Sequence, residues 1–143
     1  EMALDNLTLG RARMMWAFAQ TPGEPPPGER TARAFQAMTY LEQAVEGLRE
    51  AGAQEFLARG LLARAECYRH MNHFALALDD LNEARDIAEL GGMKLYLCDY
   101  HLEAGRLCAA QGNDAGAAEH SRAAGKLIAE TGYGRRKEGR GRY

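Results

Sequence analysis

The feature that most restricts this chain is a recurrence of small residues every 40 positions. Ala37, Ala77 and Ala117 fall in register, as do Ala44, Ala84 and Ala124, and then Gly52, Gly92 and Gly132. Leu41 and Leu81 share a place that Ser121 takes in the last copy. Single matches are common in an alanine-rich chain, but three registers agreeing at one period mark a repeated unit. Small residues at fixed places let helix backbones approach closely, and a recurring glycine supplies the turn into the next unit. One unit of this size cannot bury its own apolar faces, so the copies are expected to stack.

The unit is clearest from Leu57 to Ala84. Its first half sets Leu57, Leu61, Leu62, Ala65 and Tyr68 on one helical stripe. The second half does the same with Phe74, Ala77, Leu78, Leu81, Ala84 and Ala88. Asn72 and His73 break the pattern between them, and Asn tolerates the left-handed conformation that ends a helix. Two helices with so short a joint must lie antiparallel.

The flanking sequence supplies the neighbours. A first helix is predicted over Ala3 to Gln20, and it stops at Thr21-Pro22. The segment from Thr21 to Arg30 holds all four prolines and reads as an extended loop. A second helix is predicted from Thr31, as N-cap, to Ala51, with Ala34, Ala37, Met38, Leu41, Ala44, Val45 and Leu48 on its stripe. After Gly91-Gly92 comes a helix that is apolar almost all round, as expected for one with neighbours on several sides. Asn113 is placed to cap the last helix, which runs to Thr131 and stops at Gly132. There His120, Ser121 and Arg122 stand where the earlier copies have Tyr40-Leu41 and Asp80-Leu81, which suggests a face meeting water. The expected fold is therefore all-α, six helices in three stacked hairpins over residues 1–133. The repeats run at about 3–51 (with the proline-rich insertion at 21–30), 54–90 and 93–131.

Charge divides the chain in two. Up to Tyr133 there are 13 Lys and Arg against 19 Asp and Glu, and afterwards 5 against 1. The stretch from Gly134 to Tyr143 has almost nothing to bury and is expected to be a disordered basic tail. Three cysteines, Cys67, Cys98 and Cys108, all fall where helix is predicted, and an odd count without paired spacing argues for a reducing compartment. The opening residues hold no long uncharged apolar run, so no signal peptide or membrane span is expected and the setting reads as cytoplasmic.

Leu61, Ala65, Tyr68, Phe74, Ala77, Leu81 and Ala84 in the second hairpin, with Gly105, Gly112, Ala117 and Ala124 in the third, resemble the tetratricopeptide repeat. The usual Trp of that repeat is replaced by Leu61 or His101, the usual Leu by Arg64 or Ala104, and the closing Pro is missing. The period is also longer, which is similar to arrays in bacterial maltose-regulator-type activators and signal-transduction ATPases. The resemblance implies a right-handed superhelical stack that binds protein on the concave face lined by the first helix of each hairpin. Carried over by position, that groove holds Arg59, Leu62, Glu66, Arg69 and His70, with Asp99, Leu102, Glu103 and Arg106 from the next repeat. The pattern by which some members clamp a C-terminal carboxylate is absent, so chaperone-tail binding is not implied.

Chemistry is weighed against this reading. Cys67, His70 and His73, and again Cys98 and His101, have the spacing of a helix face that could ligate a metal. The two sets are offset by on the order of 13 Å at helical rise, too far for one ion to bridge, and packing is the simpler reading. A Cys–His nucleophile lacks an orienting group and an oxyanion site, and no strand precedes a glycine-rich phosphate loop. No enzyme activity, metal or cofactor is expected. The leading expectation is a protein-interaction module whose partner is another protein or a neighbouring domain of the same assembly; a homo-oligomer is also compatible with the pattern. A sensor segment of a larger signalling ATPase or transcription regulator is the second reading. The third is nucleic-acid binding through Arg135, Arg136, Lys137, Arg140 and Arg142, which the acidic body counts against.

Overall fold

A computed structural model describes residues 2–19 and 27–132. They form six helices: α1 (Met2–Phe18), α2 (Pro27–Glu50), α3 (Gln54–His70), α4 (Phe74–Leu90), α5 (Lys94–Ala110) and α6 (Asp114–Thr131). The described residues contain no strand. The helices pair as three hairpins, α1 with α2, α3 with α4 and α5 with α6, stacked in chain order. The expected basic tail, and the part of the proline segment before Pro27, lie outside the described residues.

Two boundaries differ from expectation. Helix α2 begins at Pro27, so Thr31 sits within the helix and is not its N-cap. Proline suits the first helical position, where its missing N–H would have no partner and its fixed φ is already helical. Glu29 in that first turn favours the helix dipole and pairs with Arg33 one turn on, at 2.8 Å. Helix α1 ends at Phe18, two residues short of Gln20.

The repeat is finer than the 40-residue period. Left-handed residues stand at Gly52 (φ 67°), Asn72 (62°), Gly92 (62°), Gly112 (77°) and Gly132 (71°), one after every helix from α2 onward. At the first four the hydrogen bonds repeat as well. The amide of His73 donates to the Tyr68 carbonyl (2.9 Å) and that of Asn72 to the Arg69 carbonyl (3.0 Å). Ala53, Met93 and Asn113 donate likewise to Leu48, Ala88 and Cys108. This crossed pair of bonds satisfies carbonyls that would otherwise be orphaned at a helix end. One helix plus one such turn fills twenty residues, and two of them make the period seen in the sequence. Asn113 caps α6 as expected, its Oδ1 accepting from the Gly116 amide at 3.0 Å.

The core follows the small residues. Ala37, Leu41, Ala44, Leu57, Leu61, Ala65, Ala77, Leu81, Ala84 and Ala88 are all but sealed from solvent. At Gly10 a Cβ would lie 2.8 Å from Leu41, so α1 and α2 are in backbone-to-side-chain contact that only glycine permits. Leu78, placed on the buried stripe by its spacing, is exposed instead. The buried arc of α4 is turned the other way, through Ala77, Leu81, Ala84 and Ala88 to Asp80, which is 5% exposed. Asp80 is drawn inward by Arg64 of α3, which donates to both carboxylate oxygens at 2.7 Å.

The first helices of successive hairpins pack directly on each other, α1 on α3 and α3 on α5. The second helices α2 and α4 reach each other through the exposed Arg49–Glu83 ion pair at 2.6 Å. The stack is therefore tighter on the first-helix side, and that is where its cleft lies.

Candidate binding cleft

A cleft of about 660 Å³ runs along α1, α3 and α5. Leu62, Ala63 and Leu102 form an apolar floor, while Arg11, Glu55, Arg59, Glu66, Asp99 and Arg106 supply charge of both signs. These residues converge because one helical face, repeated at parallel first helices, is left uncovered when the other faces pack. Seven of the nine residues placed in a groove by the sequence line this cleft: Arg59, Leu62, Glu66, Asp99, Leu102, Glu103 and Arg106. Arg11, Glu55, Ala63, Leu95 and Tyr96 line it too and were missed. Arg11 belongs to the hairpin whose register the proline segment obscures, Ala63 adjoins Leu62, and the other three lie a turn nearer the helix N-termini than the positions carried over.

Arg69 and His70 are placed differently. The Arg69 guanidinium pairs with the Glu103 carboxylate of α5, and Glu103 is itself 4% exposed. Arg106 adds a second donor to Glu103 at 3.3 Å. Glu103 thus lies at the bottom of the cleft neutralised by two arginines, as a buried carboxylate must be. Arg69 ties α3 to α5, with the same 34-residue separation by which Arg49 ties α2 to α4. His70 stacks on Phe18 of α1, ring centroids 4.4 Å apart and nearly parallel, and so ties α3 to α1. Burial, helped by Arg69 and Arg106 and opposed by Glu103, lowers its pKa from 6.5. Arg59 keeps one polar contact across the cleft, donating to the Tyr96 hydroxyl at 3.3 Å.

The residues considered for metal or nucleophilic chemistry do not converge. Among the described residues no three His, Cys, Asp or Glu side chains are grouped to hold an ion. Cys67 is sealed in the core against the Met71 sulfur, and burial, with Glu66 and Glu42 adding to it, pushes its thiol up to about 12. Such a group is a thiol at neutral pH and no nucleophile. Cys98 packs its sulfur on the Ala124 carbonyl, at 3.9 Å.

His101 and His120 hold a contact that sequence reading missed. Ser121 and Arg122 do face water, but His120 turns inward, and its Nδ1 lies 2.9 Å from Nδ1 of His101. Tyr100 meets both rings edge-on. One imidazole must donate and the other accept, so this contact needs one of the two nitrogens to carry no proton. Burial first, and then His120, lowers the His101 pKa from 6.5, with Glu89 opposing. A folded-state pKa below the unfolded one makes stability greatest above pH 6.5, and stability falls as acid protonates the unfolded chain first. His70 contributes with the same sign. Thermal melting monitored by circular dichroism should therefore drop by a few degrees between pH 7.5 and 5. Replacing His120 with Gln should flatten that slope, and an unchanged slope would remove the pair as its cause.

No family model matches the chain, and no curated protein or solved structure is significantly similar to it. No helix among the described residues is long and apolar enough to cross a membrane.

Proposed function

We propose that this chain is a non-catalytic interaction module whose cleft along α1, α3 and α5 holds a peptide or helix of another protein or of a neighbouring domain. The observation that carries the reading is the cleft itself: an apolar floor of Leu62, Ala63 and Leu102 under a rim of both charges. Small-molecule sites are lined mainly by apolar and aromatic side chains with few polar groups, whereas seven of the twelve residues lining this cleft are charged. An apolar centre with a charged border matches the anatomy of a protein interface. The stacked hairpins and the resemblance to tetratricopeptide arrays support the same reading. Charge of both signs would select the partner and its orientation more than it would add affinity.

The test must leave the fold intact. Reversing Arg69 or Arg106 would strip Glu103 of its partners, so loss of binding there would not separate the cleft from the core. Arg59 and Glu66 are better placed, Arg59 exposed and Glu66 with only a 4.0 Å contact to Arg69. Binders selected from a display library of random peptides and short helices should lose roughly tenfold or more in affinity when Arg59→Glu and Glu66→Lys are combined. Circular dichroism of the variant should match the parent. Selected binders that ignore both substitutions would place recognition elsewhere.

A further inference from the structure

The outer side of α1 carries large apolar residues that the described residues leave largely exposed, although the Arg33 guanidinium lies over the Trp16 ring, 3.5 Å from its centroid. Met2, Leu9 and Trp16 are 79%, 45% and 47% exposed. They lie seven residues apart, so they share one stripe of the helix, about a quarter turn or more from the Leu7, Gly10, Met14 and Ala17 face that packs on α2. Position in the repeat identifies this stripe. Gly10 gives Leu41 room as Gly105 gives room to His120 and Ala117. Gly105 and Ala65 occupy one register, and counting from Gly10 and Ala65 sets Met2 and Trp16 level with Leu57 and Met71 of α3. Leu57 and Met71 belong to the core formed with α2. At its two ends the stripe takes the places by which α3 sits on the hairpin before it, while Leu9 at its centre is level with Arg64, which faces α4; on α1 all three residues stand exposed.

Its pattern is that of a surface made to meet itself. Leu9 is the centre, Asp5 and Arg13 stand four residues to either side with opposite charge, and Met2 and Trp16 stand seven to either side. Asp5 has no ion-pair partner among the described residues, and Arg13 makes only a long 3.4 Å bond to Gln36 and a loose contact with Trp16. We propose that a second copy of this chain covers the stripe, the two α1 helices packing antiparallel about a two-fold axis at Leu9. In the commonest helix-packing class the i±4 ridges of both helices interlock. The Asp5–Leu9–Arg13 ridge then lies beside its own reverse, each Asp5 next to the partner's Arg13 and Leu9 next to Leu9. Met2 falls against the partner's Trp16, a favourable contact between thioether and ring. The interface is isologous and closes at a dimer, without extending into a fibre. It leaves the cleft side of α1, with Arg11, open, so it stands apart from the proposed function.

Sedimentation velocity on the full chain, from micromolar to near-millimolar concentration, tests this. The wild type should pass from monomer to dimer, and Trp16, the one tryptophan, should shift its emission to the blue as it does so. Leu9→Glu places two carboxylates together at the axis and should raise the dissociation constant by roughly a hundredfold or more. Asp5→Arg should weaken the dimer, and adding Arg13→Asp should restore it. That recovery is specific to the antiparallel pairing, because a merely unfolded or sticky variant would not be rescued. A wild type that stays monomeric throughout, a Leu9→Glu variant that associates as well as the parent, or a charge swap that recovers nothing would each overturn the proposal.

Discussion

Arg64→Met is expected to destabilise the protein by about 3–5 kcal/mol, the range seen when one partner of a buried ion pair is removed. The cost arises at Asp80, which is 5% exposed and accepts both of its strong hydrogen bonds from that guanidinium. Burial already pushes the Asp80 carboxyl above its usual value, with Arg64 pulling the other way. Without Arg64 the carboxylate must take up a proton or open the α3–α4 contact to water. Thermal unfolding should report the loss as a fall of roughly 10 °C or more for a chain of this size. Asp80→Leu should cost less, because the Arg64 side chain keeps 19% exposure and can turn its charge to solvent. Combining the two changes should recover most of the stability, as apolar replacements of buried ion pairs often do. Two single variants within 1 kcal/mol of the parent, a threshold set by the median worth of an exposed pair, would mean that Asp80 is solvated.

That pair also shows how far the sequence could be read. Positions 40, 80 and 120 share a register, and Leu41, Leu81 and Ser121 follow them. Leu41 and Leu81 announce themselves as core by period alone, and both are fully buried. The preceding position turns toward the first helix of its own hairpin, so a polar residue there needs a partner on that helix. Arg64 answers Asp80, and His101 answers His120. Periodicity shows which face a residue takes but not which polar side chain will reach across, and for that reason His120 was read as facing water.

The same limit applies to the cleft. Its lining followed from repeat position, yet Arg69 and Glu103 could not be recognised as an internal pair from spacing within one helix, because their contact joins α3 to α5. The turns were more legible. Gly52, Asn72, Gly92, Gly112 and Gly132 have left-handed backbone that few residues tolerate, and glycine or asparagine stands at every one. Where the chain departs from the repeat, at the proline segment, the reading lost both the start of α2 and the register of α1. Arg11 and the outer stripe of α1 went unseen for that reason.

Leu41→Ala should cost about 2–5 kcal/mol, toward the upper part of the range for truncating a buried leucine. Leu41 is 0% exposed and lies against the backbone of α1 at Gly10, where no side chain can move in to fill the space. A cavity walled by helix backbone collapses poorly, and the cost of truncation grows with the cavity that remains. The glycine gives a sharper test than the leucine. Gly10→Ala alone builds a methyl group 2.8 Å from Leu41 Cγ and Cδ2, and should destabilise by about 1–3 kcal/mol through overpacking. In the Leu41→Ala background the same substitution loses both side-chain clashes and keeps only the 3.2 Å approach to the backbone nitrogen of residue 41, while alanine is the better helix former by about 1 kcal/mol. Its cost should therefore fall sharply, a coupling of about 1 kcal/mol or more in a double-mutant cycle read by urea unfolding. If Gly10→Ala had the same effect in both backgrounds, Gly10 and Leu41 would not be in contact, and the close approach of α1 to α2 that seats the first hairpin would have to be abandoned.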